Sequence, residues 1–235
     1  MKKITLLTTT ILIAGLFMSC ASKEAYEEEA PYYEEDGLEA ELSDHYVSPE
    51  MSDDFLGNFN PIQLDSKVAL VKQMSKLSVK QLDDNYLNPK KNTIEITFRY
   101  GINVTTIILN KAERDKIKEA AEQFLADYEA KTLKRQKPNS KTAYFKSKCT
   151  LYWGVLSDSN VSYKNAYFAN HEFINKRAYF LLHFIPSETK KGGDTYTPKT
   201  VLYFSPTQLR DFIELLDQDY LNAQVKSLRD KAYTY

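Results

Sequence analysis

Two stretches of this chain, 95 residues apart, share one grammar, and the repetition narrows what the chain can fold into. TTIILN (Thr105–Asn110) reads as a strand that ends on a helix-capping residue, with Glu113 three positions on as its capping-box partner. TVLYFS (Thr200–Ser205) repeats the pattern, with Ser205 as cap, Pro206 in the first helical position and Gln208 completing the box. An apolar stripe at helical spacing follows each: Ile117, Ala121, Phe124 and Tyr128, running to about Leu133, and Leu209, Phe212, Leu216 and Tyr220. At the same offset Ile117 falls on Phe212 and Leu125 on Tyr220. A duplicated strand-helix unit is expected, with repeats over 93–133 and 141–223. The alternative is coincidence, since strand, cap and helix often follow one another.

The remaining body is rich in strand patterns. TIEITFRY (Thr93–Tyr100) alternates, Gly101-Ile102-Asn103 turns the chain, and Val104–Leu109 returns as a hairpin. TLYWGVL (Thr150–Leu156) forms another strand, with a turn expected at Ser157–Asn160. A two-residue turn at Asn175-Lys176 would pair Ile174 with Arg177 and Phe168 with His183. That register puts Tyr167, Ala169, His171, Phe173, Ala178, Phe180, Leu182 and Phe184 on a core face. Lys190-Lys191-Gly192-Gly193 reads as a loop before the last strand. In residues 65–88, Val68, Val71, Met74 and Leu77 at spacings of three predict one or two short helices, capped by Asp65 and closed by Pro89. The fold class is therefore α+β: an antiparallel sheet with amphipathic helices on one side. A strand-rich unit followed by a helix, twice over, resembles the PUR-repeat and Whirly-type folds in element order. That resemblance implies nucleic-acid binding, which the N-terminal address below opposes.

Lys2 and Lys3 precede an apolar run from Ile4 to Phe17, too short for the roughly 20 residues of a membrane-spanning helix. A basic start, a short apolar stretch and small residues make a secretory signal peptide over 1–19. It ends Phe17-Met18-Ser19-Cys20, which resembles the lipobox of bacterial lipoprotein precursors in the relaxed form seen in spirochaetes. The resemblance implies acyl chains on Cys20, and more than one chain holds stably to a bilayer. The alternative is a secreted protein in which Cys20 is a bystander. From Ala21 to Leu56, 13 acidic residues face only Lys23, and from Gly57 onward 28 basic residues face 19 acidic ones. Residues 20–56 thus read as a lipidated, acidic, disordered tether, and 57–235 as a single basic α+β body. The expected place is the bacterial cell envelope, with the outer membrane favoured and its face left open.

Catalytic motifs are missing: no G-x-S-x-G, P-loop, H-E-x-x-H or C-x-x-C occurs. His171 and His183 fall on opposite faces of the expected hairpin, so no metal is expected between them. No carboxylate pair can be nominated for hydrolysis. Neither catalysis nor a cofactor is expected, with an envelope hydrolase of unfamiliar type as an alternative. Two features could bind a partner. One is the basic run Lys131, Lys134, Arg135, Lys137, Lys141, Lys146 and Lys148, uninterrupted by an acid and suited to anionic groups. The other is the set of tyrosines opposite the core face, Tyr152, Tyr179 and Tyr203, which could stack on sugars or bases. The bland readings are a solvated connector and a covered sheet face. The expected role is a non-catalytic, membrane-anchored lipoprotein that binds a protein, glycan or anionic polymer. Nucleic acid is not expected as a partner. A structural homo-oligomer is the other alternative.

Overall fold

In a computed structural model, residues 55–155, 158–191 and 195–232 are described. The signal peptide, Cys20 and nearly all of the expected tether lie outside the described residues. The order is β1 (Ile62–Gln63), β2 (Lys67–Gln73), β3 (Lys76–Leu82), β4 (Tyr86–Asn88), β5 (Thr93–Tyr100), β6 (Asn103–Leu109) and α1 (Lys111–Glu129). A 3-10 turn at Ser140–Thr142 leads to β7 (Phe145–Val155), β8 (Asp158–Ile174), β9 (Arg177–Phe184) and β10 (Thr200–Phe204). Then come α2 (Pro206–Leu216) and α3 (Gln218–Ala232). The chain is α+β, as its periodicities predict.

All ten strands pair antiparallel in one sheet, in the order β1-β4-β5-β6-β7-β8-β9-β10-β2-β3. The sheet coils on itself. Gln73 Nε2 on β2 donates to Thr105 Oγ1 on β6 (3.2 Å) and to Thr200 Oγ1 on β10 (2.9 Å). Near the free edge of β3, the Lys80 ammonium lies 4.9 Å from the centre of the Tyr100 ring on β5. Inside the coil, α1 and α2 press Ile117, Phe124, Leu209 and Phe212 onto the sheet, all fully buried. Each such burial contributes about 1.5–3 kcal/mol. Phe212 stacks on Phe204 at 4.3 Å, and Phe124 meets Phe180 at 5.8 Å.

The ladders fall into two sets that match. Ile107 opposes Ile96 as Leu202 opposes Leu182, and Leu109 opposes Ile94 as Phe204 opposes Phe180. On the other side, β6 pairs with β7 as β10 pairs with β2: Ile107 opposes Leu151, and Leu202 opposes Val71. Counting only long strands, each half runs four strands and then a helix. Asn110 and Ser205 both close full capping boxes, with Glu113 and Gln208.

Three expectations need correction. Residues 65–88 are not helical; they form β2, β3 and β4. Ala69, Val71 and Gln73 point inward by alternation, and Met74 and Ser75 turn the chain with φ of 49° and 64°. The apolar positions that imitate a helix stripe, Val68, Met74 and Leu77, are exposed. The final helix is two helices, because Asp217 leaves helical geometry and its Oδ1 accepts the Asp219 and Tyr220 N–H groups at 2.9 and 3.1 Å. Tyr220 therefore starts α3 rather than ending α2. Finally, β8 begins at Asp158, so most of the expected turn at Ser157–Asn160 is strand; Ser157 lies outside the described residues. Of the Lys190–Gly193 loop, Gly192 and Gly193 also lie outside them.

The Asn175-Lys176 hairpin has the register its sequence predicts, Ile174 with Arg177 and Phe168 with His183. Asn175 and Lys176 both sit at positive φ, 49° and 68°, the two-residue turn whose twist suits a hairpin.

Candidate functional site

A groove of about 440 Å³ opens where α1 ends, α2 begins and the β8–β9 hairpin turns. Each wall has a local cause. After the C-cap of α1 at Ala130, Lys131 takes the left-handed conformation (φ 57°), and its N–H returns to the Tyr128 carbonyl at 3.1 Å. That terminates the helix and leaves Tyr128, Lys131 and Leu133 along one side. The hairpin supplies Phe173, Lys176, Arg177, Ala178 and Tyr179. Ser205 and Pro206 close the end.

The lining is aromatic and cationic. Lys131, Lys176 and Arg177 are exposed, and none of them makes an ion pair with a described residue. No lining residue is acidic. The neighbouring acid Glu129 is engaged by Arg210 at 2.7 Å. The Arg135 guanidinium lies 5.4 Å from the Phe173 ring centre, placing a fourth cation beside the groove. The start of α2 adds little by itself. Ser205 Oγ takes the Gln208 N–H at 3.3 Å, the Leu209 N–H goes to the Ser205 carbonyl, and Pro206 has no N–H to offer. Side-chain cations, rather than helix amides, would meet an anion here.

The loop that carries the basic run is pinned. The His171 ring donates from Nε2 to the Lys134 carbonyl (2.9 Å), because a carbonyl can only accept. Its Nδ1 is then the acceptor for the Tyr144 hydroxyl at 2.9 Å. Burial raises the Tyr144 phenol well above its usual range, so it stays a donor. Asn170 fixes the same loop through its amide nitrogen, at 3.0 Å from the Asn139 carbonyl, and through its amide oxygen, which accepts from Gln136 Nε2 at 3.1 Å. His171 is thus a structural residue.

Of the residues singled out by sequence, Lys131 and Tyr179 line the groove and Arg135 flanks it. Lys134, Lys137, Lys141 and Lys146 are exposed along the connector and β7, and Lys148 is half-buried in β7; none of them lines the groove. Tyr152 is half-buried on β7. Tyr203 is buried, 5% exposed, with its hydroxyl donating to Glu172 Oε2 at 3.1 Å. It belongs to a second apolar cluster with Phe168, Leu181, Ile185 and Val201. Sequence reasoning missed Lys176, Arg177, Tyr128 and Phe173 as a group. The usable signal was the turn itself, which seats two cations opposite the end of α1. Cys149 is a free, buried thiol whose pKa burial pushes up, which makes it inert. Among the described residues, no group of three or more His, Cys, Asp or Glu could hold a metal ion.

No solved structure matches this chain. A protein described as uncharacterized from Treponema pallidum (strain Nichols) is 29% identical over 150 residues, which are 63% of this chain and 53% of that protein. The chain spans about half the length of that relative. Residues 59–223 take in every long strand, the groove and the start of α3, and over that span the chain matches and belongs to the family described as "Uncharacterised Treponema protein".

Proposed function

We propose that this is a lipid-anchored protein of the bacterial envelope whose α+β body binds an anionic partner without transforming it. The observation that carries the reading is the groove, whose lining holds Lys131, Lys176 and Arg177, without ion-pair partners among the described residues, beside Tyr128 and Phe173, and in which no lining residue is acidic. A groove of this size, apolar with a few convergent polar groups, has the dimensions of ordinary ligand sites. The same lining offers no nucleophile with a base beside it and no carboxylate pair, which supports binding over catalysis. Signal peptide, Cys20 and acidic tether supply the anchoring half of the proposal.

Two measurements test it. Cells carrying Cys20→Ala should release the protein from the membrane fraction; retention there would defeat the anchoring. The full chain in detergent should co-sediment with purified envelope glycan in low salt. A triple variant, Lys131→Asn, Lys176→Gly and Arg177→Ala, should lose that binding. Undiminished binding by the triple variant would remove the groove from the proposal.

A second reading, assembly as an oligomer, rests on the β2–β3 hairpin. Val79 is 66% exposed, Met74 54% and Leu77 46%, and β3 stands at the end of the pairing order. An apolar end strand invites pairing with a second copy of this chain. A mass that rises with concentration, and falls to the monomer in Val79→Lys, would favour it.

A further inference from the structure

We propose that the groove seats a phosphorylated saccharide, its phosphomonoester held by Lys131, Lys176 and Arg177 and its ring laid against Tyr128. The inference rests on the binding role proposed above and names the ligand class for the same groove. Charge is the first argument. Three cations lie together with no ion-pair partner among the described residues, while Glu129 is occupied by Arg210. A single carboxylate would leave two of them unanswered. A phosphomonoester carries about −1.5 to −2 at neutral pH and presents three acceptor oxygens. Arg177 adds a planar fork that matches two of those oxygens, and the two lysines act as point charges.

The aromatic residues supply the second argument. Tyr128 is 43% exposed in the lining, whereas the half-buried Tyr179 packs its side chain on the other sheet face, against the cluster of Phe168 and Leu181. Tyr128 pairs an apolar face with a hydroxyl tip, which suits a sugar ring that has apolar C–H faces and polar edges. The remaining ring, Phe173, already has the Arg135 guanidinium over it. A flat nucleobase would want two open aromatic faces, and the groove does not offer such a pair.

The test uses the full chain in non-ionic detergent and titration calorimetry at low salt, with glucose 6-phosphate, inorganic phosphate, glucose and adenosine monophosphate as probes. Glucose 6-phosphate should bind at least tenfold tighter than inorganic phosphate and than the nucleotide, and glucose should give no signal. Its affinity should fall between pH 7 and pH 5, as a phosphomonoester gains its second proton near pH 6. Arg177→Ala should weaken binding at least tenfold. Lys146→Ala, on the same basic run but outside the groove, should stay within twofold. Thermal melting confirms that both variants fold, and Lys176→Gln serves in place of Arg177→Ala if that variant does not. Equal affinity for inorganic phosphate, tighter binding of the nucleotide, an equal loss in Lys146→Ala, or no binding at all would each overturn the proposal. If the triple variant above loses envelope glycan while glucose 6-phosphate neither binds nor competes, the ligand class fails and the binding role stands. If glycan binding ignores the groove, the groove drops out of the binding role and the ligand class falls with it.

Discussion

The two halves of the coiled sheet present the same inner face and build the same corner, but they finish that corner differently. Inside, Ile94, Ile96 and Phe98 on β5 take the places that Phe180, Leu182 and Phe184 take on β9, and all six are buried. At each corner a helix start meets a hairpin turn and the end of the other helix. Where α1 starts, Arg114 fills the space and is fully buried. Its Nη1 donates to the Leu216 carbonyl (3.2 Å), and its Nη2 donates to Asn92 Oδ1 (2.8 Å) and Gln218 Oε1 (2.9 Å). Lys118 and Asp217 reinforce that corner as an ion pair, which holds the Asp217 carboxyl below its usual range. Where α2 starts, the residue at the offset of Arg114 is Leu209, which turns into the core. That corner stays open as the cationic groove. The first corner brings its own cation inside the fold; the second rims an open space with three. A fold can therefore use one copy of a corner for stability and leave the other open.

The largest effect should come from emptying the closed corner. Arg114→Ala is expected to lower stability by about 3–5 kcal/mol, because Asn92, Gln218 and the Leu216 carbonyl lose a buried donor. Denaturant titration at neutral pH reads it. Arg114→Leu sharpens the comparison by giving α1 the residue α2 carries, and should recover part of the loss through packing. If Arg114→Ala costs under about 1 kcal/mol, the arginine is not what closes the corner.

How much of this could be read from sequence depends on the type of signal. Local chemistry was legible: both capping boxes, the two-residue turn at Asn175-Lys176 and the faces of β8 and β9 follow from spacing alone. The hairpin of β2 and β3 was not. Its inward row ends on polar Gln73, its turn lacks glycine, and its outward row is apolar, so the alternation is inverted in part. The groove was half legible. Lys131 and Arg135 sit in a run that stands out, but Lys176 and Arg177 lie about 45 residues further on, brought near by pairing between β8 and β9. A site assembled from three elements leaves no linear motif.

Two titrations compare the halves next, with smaller and opposite effects. Burial raises the Glu113 carboxyl from 4.5 to about 7, against the pull of the Asn110 N–H and Lys116. The stability tied to its protonated form is complete below pH 4.5 and lost as pH rises through about 7. Glu113→Gln gives α1 the box residue of α2, Gln208, and removes that loss. It should gain on the order of 1 kcal/mol over the parent at pH 8, after allowing for solvent screening, and little near pH 4.5. His183 on β9 works the other way. Burial, with Lys199 and Lys72, lowers it from 6.5 to about 4. Its contribution is present above pH 6.5 and lost as pH falls through about 4, so His183→Gln should be less sensitive to acid. Between pH 4.5 and 6.5 the two slopes oppose each other in the parent, and each variant should uncover the other. Melting midpoints from pH 4 to 8 decide; variant profiles parallel to the parent would mean that neither group titrates as its surroundings dictate.

The smallest effect separates stability from binding at the open corner. Lys176 holds a φ of 68°, where a side chain crowds its own backbone. Glycine suits that position of the turn and would follow Asn175 in the pairing such hairpins favour. Relief of strain is offset in part by the greater freedom glycine has when unfolded. Lys176→Gly should therefore raise stability by only a few tenths of a kcal/mol. The same change removes one cation from the groove, so affinity for glucose 6-phosphate should fall while the melting midpoint holds or rises. A structural lysine would move both readings down together, because the turn would loosen as the charge left. Opposite movements would mean that a strained lysine stands where glycine is the better fold, and that the ligand accounts for its presence.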